Sequence, residues 1–184
     1  MTTTTTPDHA PRRSQRLARR VPSDPRGTAA LATTLDRIGA DMTEVFETRD
    51  GRRGAGLRAR VPIWTGTVVA RYCGELLSQD EAERRERDLE QRGEYSSCYM
   101  FWFQWRARWM CVDATDPQLS NCTRYINHSR QQANLRPVLM RSDEDGRPII
   151  AFKATRDIDA GEELLFDYGD RRRCAVRHNP WLRE

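Results

Sequence analysis

The chain has 184 residues, of which 38% are apolar and 32% charged, and its net charge is +4. That length fits one domain with a tail, and the apolar content is enough to bury a core over roughly 150 residues. Every uncharged apolar run falls well short of the ~20 residues a bilayer-crossing helix needs, which excludes a helical membrane protein. The first six residues, Met1 to Thr6, are threonine-rich without an apolar signal core, so the chain reads as intracellular. Residues 1–30 then hold six arginines (Arg12, Arg13, Arg16, Arg19, Arg20 and Arg26) against Asp8 and Asp24. The remaining 154 residues are therefore electrically balanced and have no net field with which to hold nucleic acid. Flanked by Pro11 and Pro22, the arm is expected to be disordered on its own. It reads as a solvated leader, a nuclear-import signal, or a segment touching DNA or an acidic protein surface. Lys153 is the only lysine of the chain, beside thirty arginines.

Residues 31–50 are mixed in character and allow a short helix. Gly51 to Leu57 is a glycine-punctuated turn, Val61 to Gly66 is another, and Thr67 to Tyr72 is a β-branched strand. Ser78-Gln-Asp-Glu81 has the form of a capping box, which predicts a helix to about Arg92 ended by Gly93. Only Ala82 and Leu89 are apolar in it after the cap, so most of that helix faces water. Tyr99 to Trp105 and Arg108 to Asp113 read as two strands of a hairpin, the first with five aromatic residues in seven. Such density suits a core or the wall of a channel. Ser120 to Leu135 is loop-like, Pro148 to Lys153 is a strand, Ala160-Gly161 is a turn, and Leu164 to Gly169 is an apolar run closed by glycine. Short strands at 10–15-residue spacing with little helix predict a mainly β domain.

The five cysteines (Cys73, Cys98, Cys111, Cys122 and Cys174) form no CxxC pair, and with three histidines they offer no zinc-ligand cluster. They read as small, mostly buried side chains, and no metal is expected.

Three segments stand out as a set: Gly54-Ala55-Gly56 followed by Thr67 to Tyr72 and Gly74-Glu75; Arg124-Tyr-Ile-Asn127-His128-Ser129; and Gly161-Glu-Glu-Leu-Leu-Phe166-Asp-Tyr168-Gly169. Each alone is weak, and Tyr72, Tyr168 or His128 taken singly is an ordinary core residue. In this order and spacing, over about residues 48–184, they resemble the SET-domain protein lysine methyltransferases. Cys98-Tyr-Met, Cys111-Val-Asp-Ala-Thr115, the Phe166 to Arg171 run and Asn179-Pro-Trp181 are similar to the histone H4 lysine-20 group of that family.

The resemblance implies a SET fold of short sheets with a knot-like C-terminal threading. It divides the chain into an arm (1–30), a flanking segment (31–47), the SET domain (48–170) and a C-terminal segment completing the cofactor site (171–184). S-adenosylmethionine is implied as methyl donor and a histone lysine as acceptor. Tyr168 is implied as the catalytic tyrosine, helped by Tyr72 and Phe166. Cofactor contacts are implied for Arg53, Gly54, Ala55, Gly56, Tyr99, Arg124, Asn127, His128 and Tyr168, with Trp181 stacking on adenine. Tyr72, Cys98, Tyr99 and Phe166 would wall a narrow channel for the lysine. The physics agrees with such a layout. With a pKa of ~10.4, only about one lysine in 10³ is neutral at pH 7.4, a deficit of roughly 4 kcal/mol that a dry aromatic channel helps to remove.

Four positions depart from the family pattern, and two of them, Cys73 where a histidine is common and Arg130 after Asn-His-Ser where a cysteine is common, are not expected to do chemistry. Phe166 replaces the tyrosine of the monomethylating group, which implies progress to di- or trimethyl-lysine. Ala55 replaces a basic residue, for which Arg52 or Arg53 can substitute. The resemblance further implies a monomer of the nucleus that works on the H4 tail and the nucleosome as a chromatin regulator. Rival readings are another histone or non-histone lysine, a non-catalytic SET module, and a nucleic-acid-binding protein led by the arm.

Overall fold

The protein, here as a computed structural model, is described over residues 15–16, 23–24, 29–48, 54–93, 99–142 and 145–169. In chain order its elements are β1 (Gln15–Arg16), β2 (Ser23–Asp24), α1 (Ala29–Met42), β3 (Thr43–Glu47), β4 (Ala55–Ala59), β5 (Val68–Arg71), β6 (Glu75–Ser78) and α2 (Gln79–Gln91). There follow β7 (Met100–Trp105), β8 (Arg108–Asp113), a 3-10 turn at Cys122–Tyr125, β9 (Asn127–His128), β10 (Leu135–Arg141), β11 (Pro148–Ala154) and β12 (Leu165–Phe166). The mainly β architecture expected from the spacing of apolar runs is the one adopted.

Among the described residues the strands form three sheets. One runs β1-β7-β8-β6, another β5-β11-β10-β12-β9 with β2 also on β10, and β3 pairs with β4. The threading lies in the second. Strand β12 sits between β9 and β10 and is parallel to both, with Leu165 opposite Asn127 and Phe166 opposite His128 on one side and Leu135 on the other. A fully buried asparagine holds it there. Asn134 Nδ2 donates to the Glu163 carbonyl (2.8 Å) and to Glu162 Oε1 (3.1 Å), while its Oδ1 accepts from the Leu165 N–H (2.9 Å). Buried amide groups need such partners, so this residue fixes the approach of β12. The Arg156 guanidinium grips Glu162 and holds that carboxyl below its usual range.

The core is aromatic where the sheets meet: Tyr72, Phe101, Phe103, Phe152, Phe166 and Tyr168 belong to one buried cluster. Helix α1 packs on β5 with Leu35 buried, and its Asp36 takes Arg71 through two short bonds (2.7 and 2.6 Å). Helix α2 begins as its capping box predicts: Ser78 Oγ accepts from the Glu81 N–H and Glu81 accepts from the Ser78 N–H. Ala82 is its buried contact, Trp102 Nε1 reaches Glu86 (3.2 Å), and the remainder is mostly exposed, as expected of a solvated face.

Several expectations change. The arm contributes β1, parallel to β7, and β2, parallel to β10, so part of the segment read as disordered is strand. The glycine turn is shorter than read: from Ala55 the chain is already β4, and α1 is followed at once by β3. The loop-like stretch before Leu135 contains the 3-10 turn and β9. The β7–β8 hairpin is made, but by a two-residue turn in which Arg106 (φ 46°) and Ala107 (φ 65°) take the left-handed conformation without glycine.

Candidate active site

The parallel β9–β12 pair brings the segments 124–129 and 164–169 side by side, and β4 closes the corner. Asn127 Nδ2 donates to Glu163 Oε1 (2.9 Å) and to the Ala55 carbonyl (3.3 Å), while Leu164 N donates to the Leu57 carbonyl (2.8 Å). The three segments singled out in the sequence thus meet around one amide and one carboxylate. Glu163 belongs to the quoted Gly161-Glu-Glu run but had no role in the sequence reading; only the fold shows that its side chain, unlike that of Glu162, turns to Asn127.

Gly54 and Gly56 are not equivalent. Gly54 is exposed and has φ +64°, a conformation that glycine takes without strain. Gly56 is buried inside β4, where an added Cβ would lie 2.8 Å from the Phe46 ring and 3.0 Å from Glu163 Oε1. Its missing side chain is therefore explained by packing between β3 and β4, a reason the sequence reading did not contain.

His128 is buried, and its Nδ1 accepts the Tyr168 N–H at 3.0 Å, with Asp167 Oδ1 at 3.9 Å. In that bond Nδ1 serves as the acceptor, through its lone pair. The His128 and Tyr168 rings lie 5.0 Å apart, and Tyr168 continues into Phe166 at 4.7 Å. Phe166 stacks on Phe101 (5.9 Å, interplanar angle 22°) and tilts against Phe152 (4.8 Å), and Phe101 reaches Tyr72 (5.3 Å). The hydroxyls at the two ends of this chain of rings both donate to backbone: Tyr168 Oη to the Ile126 carbonyl and Tyr72 Oη to the Tyr99 carbonyl, each at 2.8 Å. Phe101 and Phe152 complete the cluster, although the sequence reading assigned them no site role. For Phe101 the aromatic density of its strand was a signal; Phe152 sits in an ordinary apolar strand and gave none.

Tyr99 is half-buried and covered by Arg124, whose guanidinium carbon is 4.0 Å from the ring centroid. Arg124 also donates to Ser120 Oγ and to the Thr115 carbonyl, each at 3.1 Å, while its Nε is buried without a hydrogen-bond partner. This arginine is thus engaged in positioning Tyr99. Arg53, Cys98 and Trp181, named from the sequence, lie outside the described residues, as does the whole of 171–184. Among the described residues no group of three His, Cys, Asp or Glu is placed to hold a metal. One cleft, of about 810 Å³, runs beside the hairpin tip past Trp105, Arg106, Arg108 and Trp109. A second, of about 560 Å³, lies between α1 and the 3-10 turn; neither borders the ring cluster.

Comparison with known proteins agrees with this geometry. The family model described as "SET domain" matches residues 54–169. The chain is 37% identical over 134 residues to "N-lysine methyltransferase KMT5A-A" of Danio rerio, covering 71% of this chain and 37% of that protein. It is 36% identical over 130 residues to "Histone-lysine N-methyltransferase Set8" of Drosophila melanogaster, covering 71% and 18%. With "Histone-lysine N-methyltransferase set-1" of Caenorhabditis elegans it shares 34% over 171 residues, covering 93% and 68%. The chain therefore spans well under half of the zebrafish and fly proteins. Among solved structures, CpSET8 from Cryptosporidium superposes with a TM-score of 0.61 at 32% identity, over 71% of this chain and 58% of that one. A structure described as "ctPRC2 in an autoinhibited conformation bound to S-adenosylmethionine" superposes with a TM-score of 0.59 at 34% identity, over 76% and 17%.

Proposed function

The chain belongs to the SET-domain family, and from that premise we propose that it is a protein lysine methyltransferase, moving a methyl group from S-adenosylmethionine to the ε-amine of a histone lysine, with histone H4 lysine 20 as the acceptor. The names of the relatives support the reaction class. The observation that carries it is the insertion of β12 between β9 and β10, which seats Tyr168 on His128 at one end of a buried row of rings.

The residues present fit the donor by the chemistry of their groups. The corner of Ala55, Asn127, Glu163 and His128 offers a carbonyl, an amide and a carboxylate, suited to an amino-acid portion. The neighbouring ring faces suit a sulfonium cation. When bound, the donor supplies an activated methyl on that sulfonium. In this reading Asn127, His128 and the backbone of Gly54 to Gly56 hold it, with Arg53, Tyr99, Arg124 and Trp181 as further contacts. Tyr72, Cys98, Tyr99 and Phe166 line the path of the lysine.

The hydroxyls of Tyr168 and Tyr72 have their protons committed to main-chain carbonyls, so each oxygen meets an incoming amine as an acceptor. They orient the nucleophile. The apolar rings between them oppose the ammonium form and lower the lysine pKa, and holding the two reactants in line supplies much of the remaining acceleration. We place the enzyme in the nucleus, on chromatin, as a monomer with a basic arm that serves import or nucleosome contact.

The test is radiolabelled S-adenosylmethionine offered with separated core histones and with nucleosomes. Label should enter histone H4, and Tyr168→Phe should reduce the rate by a factor on the order of 10² or more. Equal labelling by the wild type and the variant, or none of any histone, would overturn the proposal.

A further inference from the structure

Two strand edges next to the ring cluster are occupied by the chain's own N-terminal arm. Strand β8 pairs with β7 over the whole of Met100–Trp105, so β1, opposite Phe101 and Trp102, takes the other edge of β7. Strand β11 likewise covers one edge of β10 from Leu135 to Arg141, so β2, opposite Leu139 and Met140, lies on the edge that β12 meets at Leu135. Both edges belong to strands that build the site: Phe101 of β7 stacks on Phe166, and Leu135 of β10 pairs with it. Tyr99, whose carbonyl holds the Tyr72 hydroxyl, is the residue before β7.

A strand edge recognises an extended chain by main-chain hydrogen bonds, and side chains select which chain. The segments found on these edges are Gln15–Arg16 and Ser23–Asp24, two short pieces of an arm that carries six arginines, two aspartates and no lysine. We propose that the arm is an intramolecular competitor: it fills the edges of β7 and β10 that an extended, basic substrate peptide must take, and it regulates access to the site. Lacking lysine, it fills them without being consumed as an acceptor. The proposal rests on the reading above only for the identity of the competing peptide.

The full-length chain with Gln15→Pro and Arg16→Pro removes the β1 donors, whereas Gln15→Ala with Arg16→Ala keeps them and loses only the side chains. Binding of a fluorescein-labelled peptide of the histone H4 N-terminal tail is read by anisotropy, together with amide hydrogen exchange at Phe101 and Trp102. If the arm occupies the edge nine-tenths of the time, the proline variant binds the tail peptide roughly tenfold more tightly and exchanges faster there, while the alanine variant follows the wild type. A synthetic peptide of residues 8–27 added in trans should bind the proline variant and displace the tail peptide.

Measurable but equal affinity of the proline variant and the wild type overturns the proposal, as does failure of the arm peptide to bind the proline variant. If the arm peptide binds it and the H4 tail binds neither protein, the H4 reading fails and the proposal stands. Should the proline variant not fold, the wild type decides: excess arm peptide must raise the apparent Kd for the tail peptide, and no such rise overturns the proposal.

Discussion

Phe166 is 1% exposed and meets three other rings, Phe101, Phe152 and Tyr168, at centroid distances of 4.7–5.9 Å. A hydroxyl added to it would enter this packed environment beside the proposed path of the lysine, where it could anchor a water in the space of a second methyl. In Phe166→Tyr, mass spectrometry of an exhaustive reaction should show the product shifted from di- or trimethyl- to monomethyl-lysine. An unchanged distribution would remove Phe166 from the role of product switch. At Gly56 the expectation is of another kind. Alanine there forces the Phe46 ring or Glu163 to move, so Gly56→Ala should destabilise the protein by about 1–3 kcal/mol, the usual scale of overpacking, read by chemical denaturation. Much of this scale was legible before the fold: the order of the glycine, Asn-His and Tyr segments pointed to residues that do converge. What the sequence could not reveal were the partners, such as Glu163 on Asn127 and Arg124 on Tyr99, because they join elements far apart in the chain.

Among the elements, α2 and the β7–β8 hairpin were readable because local signals set them, a capping box in one case and facing β-formers in the other. Strands β3, β6 and β10 were not. The first two are short, and β10 contains Pro137, which argues against an internal strand. Pro137 is tolerated because it falls between Leu135, where β12 pairs, and Leu139, where β2 begins. The element with most depending on it is β12, whose place is fixed by Asn134. Removing that amide leaves the Leu165 N–H and the Glu163 carbonyl buried without this partner. Asn134→Ala should therefore cost about 1–3 kcal/mol in unfolding experiments, and should lower methyl transfer by more than the loss of folded protein explains.

Across the whole molecule, charge and burial set the response to pH. Cys73 lies in a partly buried junction of Asp36, Arg71 and Asn121, and burial pushes its thiol up to about 12 from an ordinary 9.0. A folded value above the unfolded one means that the protonated thiol is favoured in the native state. That contribution is whole below pH 9 and fades as pH rises toward 12. The melting temperature of the wild type should thus fall more steeply than that of Cys73→Ala between pH 9 and 11, and parallel curves would show that Cys73 plays no part. At pH 8 the native thiol should react slowly with iodoacetamide and only on unfolding react freely.

The placing of β12 between two strands that precede it also governs when the protein can be made active. As the chain leaves the ribosome, β9 and β10 emerge before the strand that joins them, and their pairing through Leu165 and Phe166 has to wait for it. Contacts that span so many residues form late and slowly. On the proposed function, a nascent chain should therefore be inert at least until β12 and Tyr168 have arrived, and a stop codon ahead of them should leave a polypeptide without methyl transfer.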